Sequence, residues 1–522
     1  MPLSSPKPAG HPPTTVTCGA GGSYWLTTTA DAPAYGRSLP ETVDVAVVGG
    51  GIVGATTALL LQRSGATTAL IDAGRIGAGT TGATTAKVSA LQATVYSELT
   101  RSHGPDVAAA YARANSGALS WMRQLVSEEE IACDWEDRPA VTYVTQPDRR
   151  ELIEQELGAA RTAGLDVEED WSLALPFGAA AGITLPGQAQ FHPRRYVLAL
   201  TDAFVAAGGT VTEDARVLGV DSSGDGCVVE TAGGRLRADQ VVLATHYPLL
   251  DRGLFFARLK VERSYVVGVA VDAGSPKLPE GMLYADEQPS RSLRTAPLGD
   301  GRELVLVGGA GHHTGRSDTT GRYEELTAWA GRHFPGAPVV GRWSAQDPTA
   351  SDGLPYAGEV PFGDGRIWTV TGLRKWGMTN GTAAAHVISA ALSGETHPWQ
   401  QAFGSLGTQL RRGASSLIKE NATIGMRLTT DRARSRIPPR TAASLRPGEG
   451  AIVRHGARFA AGYRDESGEL TLVSPACTHL GCELRFNDAE RSWDCPCHAS
   501  RFAVDGTVLE GPATRDLEPV DP

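Results

Sequence analysis

Four side chains near the C-terminal end could hold a redox-active metal. Cys477 and His479 lie on one short segment, Cys495 and His498 on another, with fifteen residues (480–494) between the pairs. Two thiolates suit one iron of a [2Fe–2S] cluster, and two imidazoles suit the other. Imidazoles in place of thiolates remove negative charge, which raises the reduction potential to roughly −150 to +300 mV, well above a four-cysteine cluster. The same donors at this spacing also suit a structural tetrahedral zinc. Zinc leaves Cys482 and Cys497, one further cysteine on each segment, without a role. Of seven cysteines, only Cys18, Cys133 and Cys227 stand outside this region. Such clustering reads as a metal site and not as a secreted disulfide framework, and the three outliers read as ordinary thiols.

A second chemical signature lies near the other end. The β-rich run Val43–Val48 leads straight into Gly49-Gly50-Gly51-Ile52-Val53-Gly54, then into an Ala/Leu-rich helical stretch from Ala55 to Arg63. A second apolar run, Ala69-Leu70-Ile71, ends in Asp72. Strand, GxGxxG, helix, strand and acid in this order form a dinucleotide fingerprint. Gly49 permits the tight turn, Gly51 lets backbone approach a pyrophosphate, and Gly54 lets helix and strand pack closely. The helix N-terminus offers N–H groups to phosphates, and Asp72 is placed for ribose hydroxyls. FAD and NAD share this fingerprint.

The rest of the chain favours FAD. The loop Gly77 to Lys87, the segment Gln190-Phe191-His192-Pro193, Arg216-Val217, the run Val241 to Thr245, and Thr371 to Gly381 before an Ala-rich helix are the landmarks. Together they resemble the D-amino-acid oxidase and glycine oxidase superfamily of FAD-dependent oxidoreductases, over most of residues 40–400. The resemblance implies FAD contacts from Gly49, Gly51, Gly54, Asp72, Thr80, Thr81, Thr84, Thr85, Val217, Gly377, Met378 and Thr379. It also implies a glycine-flanked helix start at Gly377 beside the flavin pyrimidine, where backbone dipoles tune the cofactor. The C-terminal segment, with Gly481, Pro496 and Ser500, resembles the Rieske proteins of quinol oxidases. That resemblance implies Cys477, His479, Cys495 and His498 as ligands and a Cys482–Cys497 disulfide tying the two loops together. Ser500 matches a serine that hydrogen-bonds a bridging sulfide, whereas Phe502 stands in place of a tyrosine and Ala499 in place of a glycine. The fusion as a whole resembles a bacterial family that joins such an FAD module to a C-terminal Rieske domain.

These residues need a particular scaffold. The expected fold is an α/β, Rossmann-like FAD domain with an interleaved antiparallel-sheet (α+β) substrate cap, plus a small all-β Rieske domain. The expected limits are an N-terminal arm at 1–40, the oxidoreductase at 41–400 with its cap near 96–189 and 251–349, a helix and linker at 401–446, and the Rieske domain at 447–522. In the cap, Arg258, Lys260, Arg263 and Tyr265 share a β-run and Tyr143 lies on another. Lys260, Tyr265, Arg374, Trp376 and Met378 are the catalytic candidates. Gly308-Gly309-Ala310-Gly311-His312-His313 reads as a turn without the spacing of an NAD site.

Composition narrows the function. Charged residues at 20% and a net charge of −10 with interspersed signs exclude a basic nucleic-acid-binding stripe. No run of eighteen apolar residues exists, so no transmembrane segment is expected. The first forty residues, rich in Pro, Gly, Ser and Thr, read as a loose arm on a cytoplasmic protein. No His-x-x-x-His pair with a nearby acid supplies the mononuclear iron of a Rieske oxygenase. The expected activity is oxidation of a small amine or amino-acid-like substrate by FAD, with electrons relayed singly through the cluster to or from an external carrier or quinone. The alternatives are an electron-transfer module whose cluster feeds the flavin, and a redox sensor.

Overall fold

The computed structural model describes residues 22–171, 175, 177–250, 252, 255–315, 319–404, 440–456 and 458–521. The expected helix and linker at 401–446 lies mostly outside the described residues.

The first sheet has eight strands. Its central order runs Tyr356–Glu359, Ile367–Thr371, Gly234–Leu243, Thr42–Val48, Thr68–Ile71 and Thr210–Thr212. Thr42–Val48 pairs in parallel with both Thr68–Ile71 and Gly234–Leu243. A parallel strand is covered on both faces, which is why Val45–Val48 and Thr68–Ile71 are uninterrupted apolar or buried runs. The helices Ile52–Arg63 and Gly377–Leu392 pack on this sheet and on each other, and both start at its ligand-facing edge. That edge, beyond the carboxyl ends of the strands, is where open α/β sheets bind ligands.

The second sheet is the cap. Its order is Val339–Ala350, Leu259–Asp272, Arg302–His313, Arg291–Pro297, Met282–Ala285, Glu136–Val144, Ala181–Gln190 and Lys87–Val88, with Glu168–Asp170 beside Ala181–Gln190. Lys87–Val88 therefore belongs to the cap although it precedes residue 96. Gly308–His313 is strand and not turn. Its glycines serve close packing: a Cβ on Gly309 would come within 2.6 Å of the Ser290 carbonyl oxygen.

The small domain has a three-stranded sheet (Gly450–His455, Arg458–Arg464, Leu470–Val473) and a four-stranded one (Arg485–Asn487, Ser492–Asp494, Arg501–Ala503, Val508–Glu510). It starts earlier than residue 447. Leu445 is buried among Val453, Ala460 and Leu472, and Thr441 bridges Arg454. The N-terminal segment also departs from the expectation of a loose arm. Among its described residues Tyr24 and Trp25 are buried, Trp25 Nε1 donates to the Thr84 carbonyl at 2.7 Å, and the Arg294 guanidinium lies 5.0 Å from the Trp25 ring centre. Burial of two large aromatic rings outweighs the polar composition around them.

Candidate flavin and cluster sites

The glycine turn is shaped by contacts no side chain could share. Gly49 has φ +109°, and a Cβ there would lie 2.5 Å from the Ala244 carbonyl oxygen. A Cβ on Gly54 would lie 1.7 Å from the Gly49 carbonyl oxygen. Gly51 caps the helix without a side chain, and Thr81 Oγ1 accepts from the Ile52 N–H at 3.1 Å. Asp72 accepts from the Gly50 N–H at 2.7 Å and the Gly74 N–H at 2.8 Å, one bond on each carboxylate oxygen. Its burial raises its pKa, against the lowering effect of those two bonds.

Two cavities adjoin, and one of them runs along this turn. One, of about 270 Å³, runs along Gly49, Gly51, Thr80, Thr81, Thr84 and Val217. The other, of about 310 Å³, lies between Thr84-Thr85 and the cap sheet. Thr84, Asp347, Lys375, Gly377 and Met378 border both. Trp376 and Arg374 line the cap-side cavity. Arg374 and Lys375 adopt left-handed backbone (φ +57° and +66°) just before the helix Gly377–Leu392. Both cations are already engaged. Arg374 donates to Glu98 Oε2 at 2.6 Å and to the Gly353 carbonyl at 2.5 Å. Lys375 lies 3.1 Å from Glu262, which Lys260 also approaches at 2.6 Å. Burial would raise the Glu262 carboxyl, but Lys375 and Lys260 together hold it down to about 2.

Several expected site residues are placed elsewhere. Thr379 is buried, donating to the Ser89 carbonyl at 3.2 Å and accepting from Gln92 at 3.1 Å, and it borders neither cavity. Lys260 borders neither, being held by Glu262 at the seam with the small domain. Tyr265 borders the cap-side cavity, yet its hydroxyl lies 3.1 Å from His312 Nε2 and its ring packs on Tyr323. Tyr143 is buried beside Phe177 and borders neither cavity. Arg258 is likewise buried, outside both. The sequence reading missed Lys87, Asp286, Ser292 and Gln346. Lys87 is buried on the cap-side cavity with Ser292 as partner; burial first, then Arg294, push its ammonium down to about 7. Its signal was its place at the end of the Thr-rich loop Thr80–Ala86.

The two cluster loops repeat one backbone pattern. The Cys477 N–H donates to the Cys482 carbonyl at 2.9 Å, and the Gly481 N–H donates to the Cys477 carbonyl at 2.9 Å. On the second loop the Cys495 N–H donates to the Ser500 carbonyl at 2.8 Å, and the Ala499 N–H to the Cys495 carbonyl at 3.0 Å. The fifth residue of each loop is left-handed: Gly481 at φ +73° and Ala499 at φ +61°. This folding brings the Nδ1 atoms of His479 and His498 to 3.3 Å and puts their ring centres 4.9 Å apart. Cys477 and Cys495 are buried free thiols, while Cys482 and Cys497 form a disulfide with Cα atoms 6.5 Å apart. The disulfide removes two sulfurs from any ligand set and leaves two thiols and two imidazoles. Ser500 accepts from the Ala513 N–H at 3.0 Å.

The small domain is seated on the cap and the nucleotide domain. Arg263, 2% exposed, reaches Glu490 at 3.1 Å and Glu510 at 3.0 Å. Arg216 donates to the Val508 carbonyl at 3.1 Å, Gln346 to the Ala499 carbonyl at 3.0 Å, and the Asp488 N–H to Thr319 at 3.0 Å. Gly315 fits against Pro496 so closely that a Cβ would lie 2.7 Å from its nitrogen.

Residues 44–391 match the profile described as FAD dependent oxidoreductase. The chain belongs to that family. Residues 438–521 match the Rieske [2Fe-2S] domain. Along nearly its whole length the chain is similar to the Rieske 2Fe-2S iron-sulfur protein YhfW of Bacillus subtilis (strain 168), 34% identical over 96% of this chain and 97% of that one. The small domain is similar to the cytochrome b6-f complex iron-sulfur subunit of Synechococcus sp. (strain JA-3-3Ab), 48% identical over 9% of this chain and 27% of that one. In fold, the chain is similar to glycine oxidase from Geobacillus kaustophilus, with TM-score 0.58, 20% identity, and coverage of 70% of this chain and 97% of that one.

This FAD oxidoreductase thus takes FAD and a [2Fe–2S] cluster as cofactors. The residues present fit both. A side chain at Gly49 or Gly54 would collide with main chain, which keeps the turn of the cradle bare, and the cluster loops offer two thiols and two imidazoles. Among the described residues no helix is long and apolar enough to cross a membrane.

Proposed function

We propose that this protein oxidises a small amine or amino-acid-like molecule at the flavin and exchanges the electrons singly, through the Rieske cluster, with an external carrier or quinone. Gln346 carries the proposal. It borders the nucleotide-side cavity, and its side chain donates to the carbonyl of Ala499, the residue after His498. One side chain thereby touches both cofactor regions. FAD held there would supply a two-electron hydride acceptor for the C–H beside nitrogen, and a cluster held by the two loops would supply one-electron transfer.

On this reading Gly49, Gly51, Gly54, Thr80, Thr81, Thr84, Thr85, Val217, Gly377 and Met378 hold the dinucleotide and flavin, and Cys477, His479, Cys495 and His498 hold the cluster. Lys87 accepts the proton of the substrate ammonium, for which a buried amine near neutral pKa is suited. Asp286, on the same cavity, faces that positive charge. Arg374 and Lys375 are committed to Glu98 and Glu262, so the site reads the substrate nitrogen first. The glycine oxidase fold supports a nitrogen-bearing substrate. Residues 41–400 form the oxidoreductase unit in this reading, the small domain its relay, and the cytoplasm its location.

The test is an anaerobic stopped-flow single turnover, screening amines, amino acids and hydroxy acids. Flavin bleaching followed by the EPR signal of a reduced Rieske centre, at a rate independent of protein concentration, is the expected result. A cluster that stays oxidised for minutes beside reduced flavin, despite a favourable potential difference, would overturn the relay. Bleaching by hydroxy acids alone would overturn the substrate class.

A further inference from the structure

The nucleotide-side cavity has a wall from each part of the chain. On one side stand Gly49, Gly51, Asp72 and Val217; on the other stand Leu509, Glu510, Gly511, Pro512, Ala513 and Thr514 of the small domain. We propose that the Rieske segment Leu509–Thr514 is part of the FAD site, so that retention of the flavin nucleotide and docking of the Rieske domain are one coupled equilibrium.

Three observations support a built wall. The segment is clamped from below, because Glu510 is held by Arg263 at 3.0 Å and by Arg501 at 2.6 Å. Burial would raise the Glu510 carboxyl, but these two guanidinium groups hold it down to about 2. The segment is tied to the nucleotide domain by Arg216, which borders the same cavity, precedes Val217, and donates to the Val508 carbonyl at 3.1 Å. It is also tied to the cluster loops, since the Ala513 N–H donates to Ser500 and Thr478 donates to the Arg515 carbonyl at 2.6 Å. Leu509, 48% exposed, gives this wall an apolar side chain. Linkage then makes the coupling reciprocal: a nucleotide that touches both walls favours the docked domain by the factor that docking favours the nucleotide. The inference uses the family's cofactor and not the proposed substrate or electron route.

Two measurements test it without any turnover. Hydrogen exchange is compared between apoprotein and the same protein reloaded with FAD. Amides of residues 509–511, 513 and 514 are expected to slow at least tenfold together with those of Gly49–Gly54. Slowing of Gly49–Gly54 alone, with the 509–514 amides unchanged, would overturn the proposal. The second measurement is the FAD dissociation rate, read as the rise of free-flavin fluorescence. Leu509→Asp and Arg263→Met are each expected to release FAD at least threefold faster while the visible circular dichroism of the cluster is kept. Less than threefold acceleration in Leu509→Asp overturns it, and Leu509→Ala is read by the same criterion should Leu509→Asp disturb the cluster spectrum.

Discussion

Replacing both Cys482 and Cys497 by alanine should lower the melting temperature of the Rieske domain far more than that of the oxidoreductase domain. The disulfide closes a loop with a sequence separation of 15, and its Cα separation of 6.5 Å lies within the usual range. Removing such a cross-link returns to the unfolded chain roughly 10 cal/mol/K of entropy, about 3 kcal/mol at 25 °C. Little is lost besides. The backbone bond from Cys477 to the Cys482 carbonyl needs no sulfur, and the fold of each loop rests on main-chain pairs. For a domain of this size each 1 kcal/mol moves the midpoint by roughly 4–8 °C, so the fall should be about 12–24 °C. Visible circular dichroism of the cluster isolates this domain, because flavin release reports the other one separately and a single two-state midpoint does not describe both. Wild-type protein in reductant should move towards the variant. A fall below about 4 °C would refute the reasoning, since the entropy term alone exceeds it. Native protein whose four cluster-region cysteines all alkylate after the metal is removed would refute the disulfide itself.

Gly54→Ala should weaken FAD binding by roughly 10–100-fold, because a Cβ placed 1.7 Å from the Gly49 carbonyl forces helix and strand apart at a typical overpacking cost; a fluorescence titration giving wild-type affinity contradicts this. Lys87 must be deprotonated to accept a proton, so flavin reduction should rise with pH through about 7, and Lys87→Met should lose that limb and slow reduction by about 10²–10⁴-fold; an unchanged pH–rate profile counts against the role. Ala499→Gly relieves a left-handed φ of +61° and should stabilise the Rieske domain by about 1 kcal/mol in a thermal melt; a fall in midpoint disproves the strain. Phe502 is buried in one cluster of side chains with Cys477 and Cys495. Phe502→Tyr brings a hydroxyl to that region and should raise the cluster potential by hydrogen bonding to sulfur, with voltammetry showing no rise if the hydroxyl points elsewhere.

The features legible in sequence are those set by local constraint. A GxGxxG turn, a cysteine two residues from a histidine, and an Ala-rich helix after a glycine are fixed by their neighbours. Period-two alternation along Leu259–Asp272 also showed that the strand has two faces. It did not show which face meets the flavin, because both are covered. Ser264, Tyr265 and Val266 all border the cavity, yet the Tyr265 hydroxyl is spent on His312, and Arg263 meets Glu490 instead. The partner of Arg263 lies 227 residues away, a distance over which no local pattern speaks. The same holds for Trp25, whose burial depends on Arg294 and the Thr84 carbonyl. Gly309 misled for a chemical reason: a glycine that looks like part of a turn is required in this strand by the close approach of the Ser290 carbonyl.

The seam between the two parts has a one-sided grammar. At Arg216, Gln346 and Thr319 the oxidoreductase contributes side chains, while the small domain answers with main-chain groups of Val508, Ala499 and Asp488. Main-chain carbonyls survive any substitution, and the Asp488 N–H survives any but proline. The small domain is therefore at liberty to drift in sequence across these three positions, whereas the larger partner is not. Glu490 and Glu510, which answer Arg263 with carboxylates, are where it is bound to particular charged residues. A foreign Rieske domain of matching backbone, carrying acids at those two places, should be accepted as a graft.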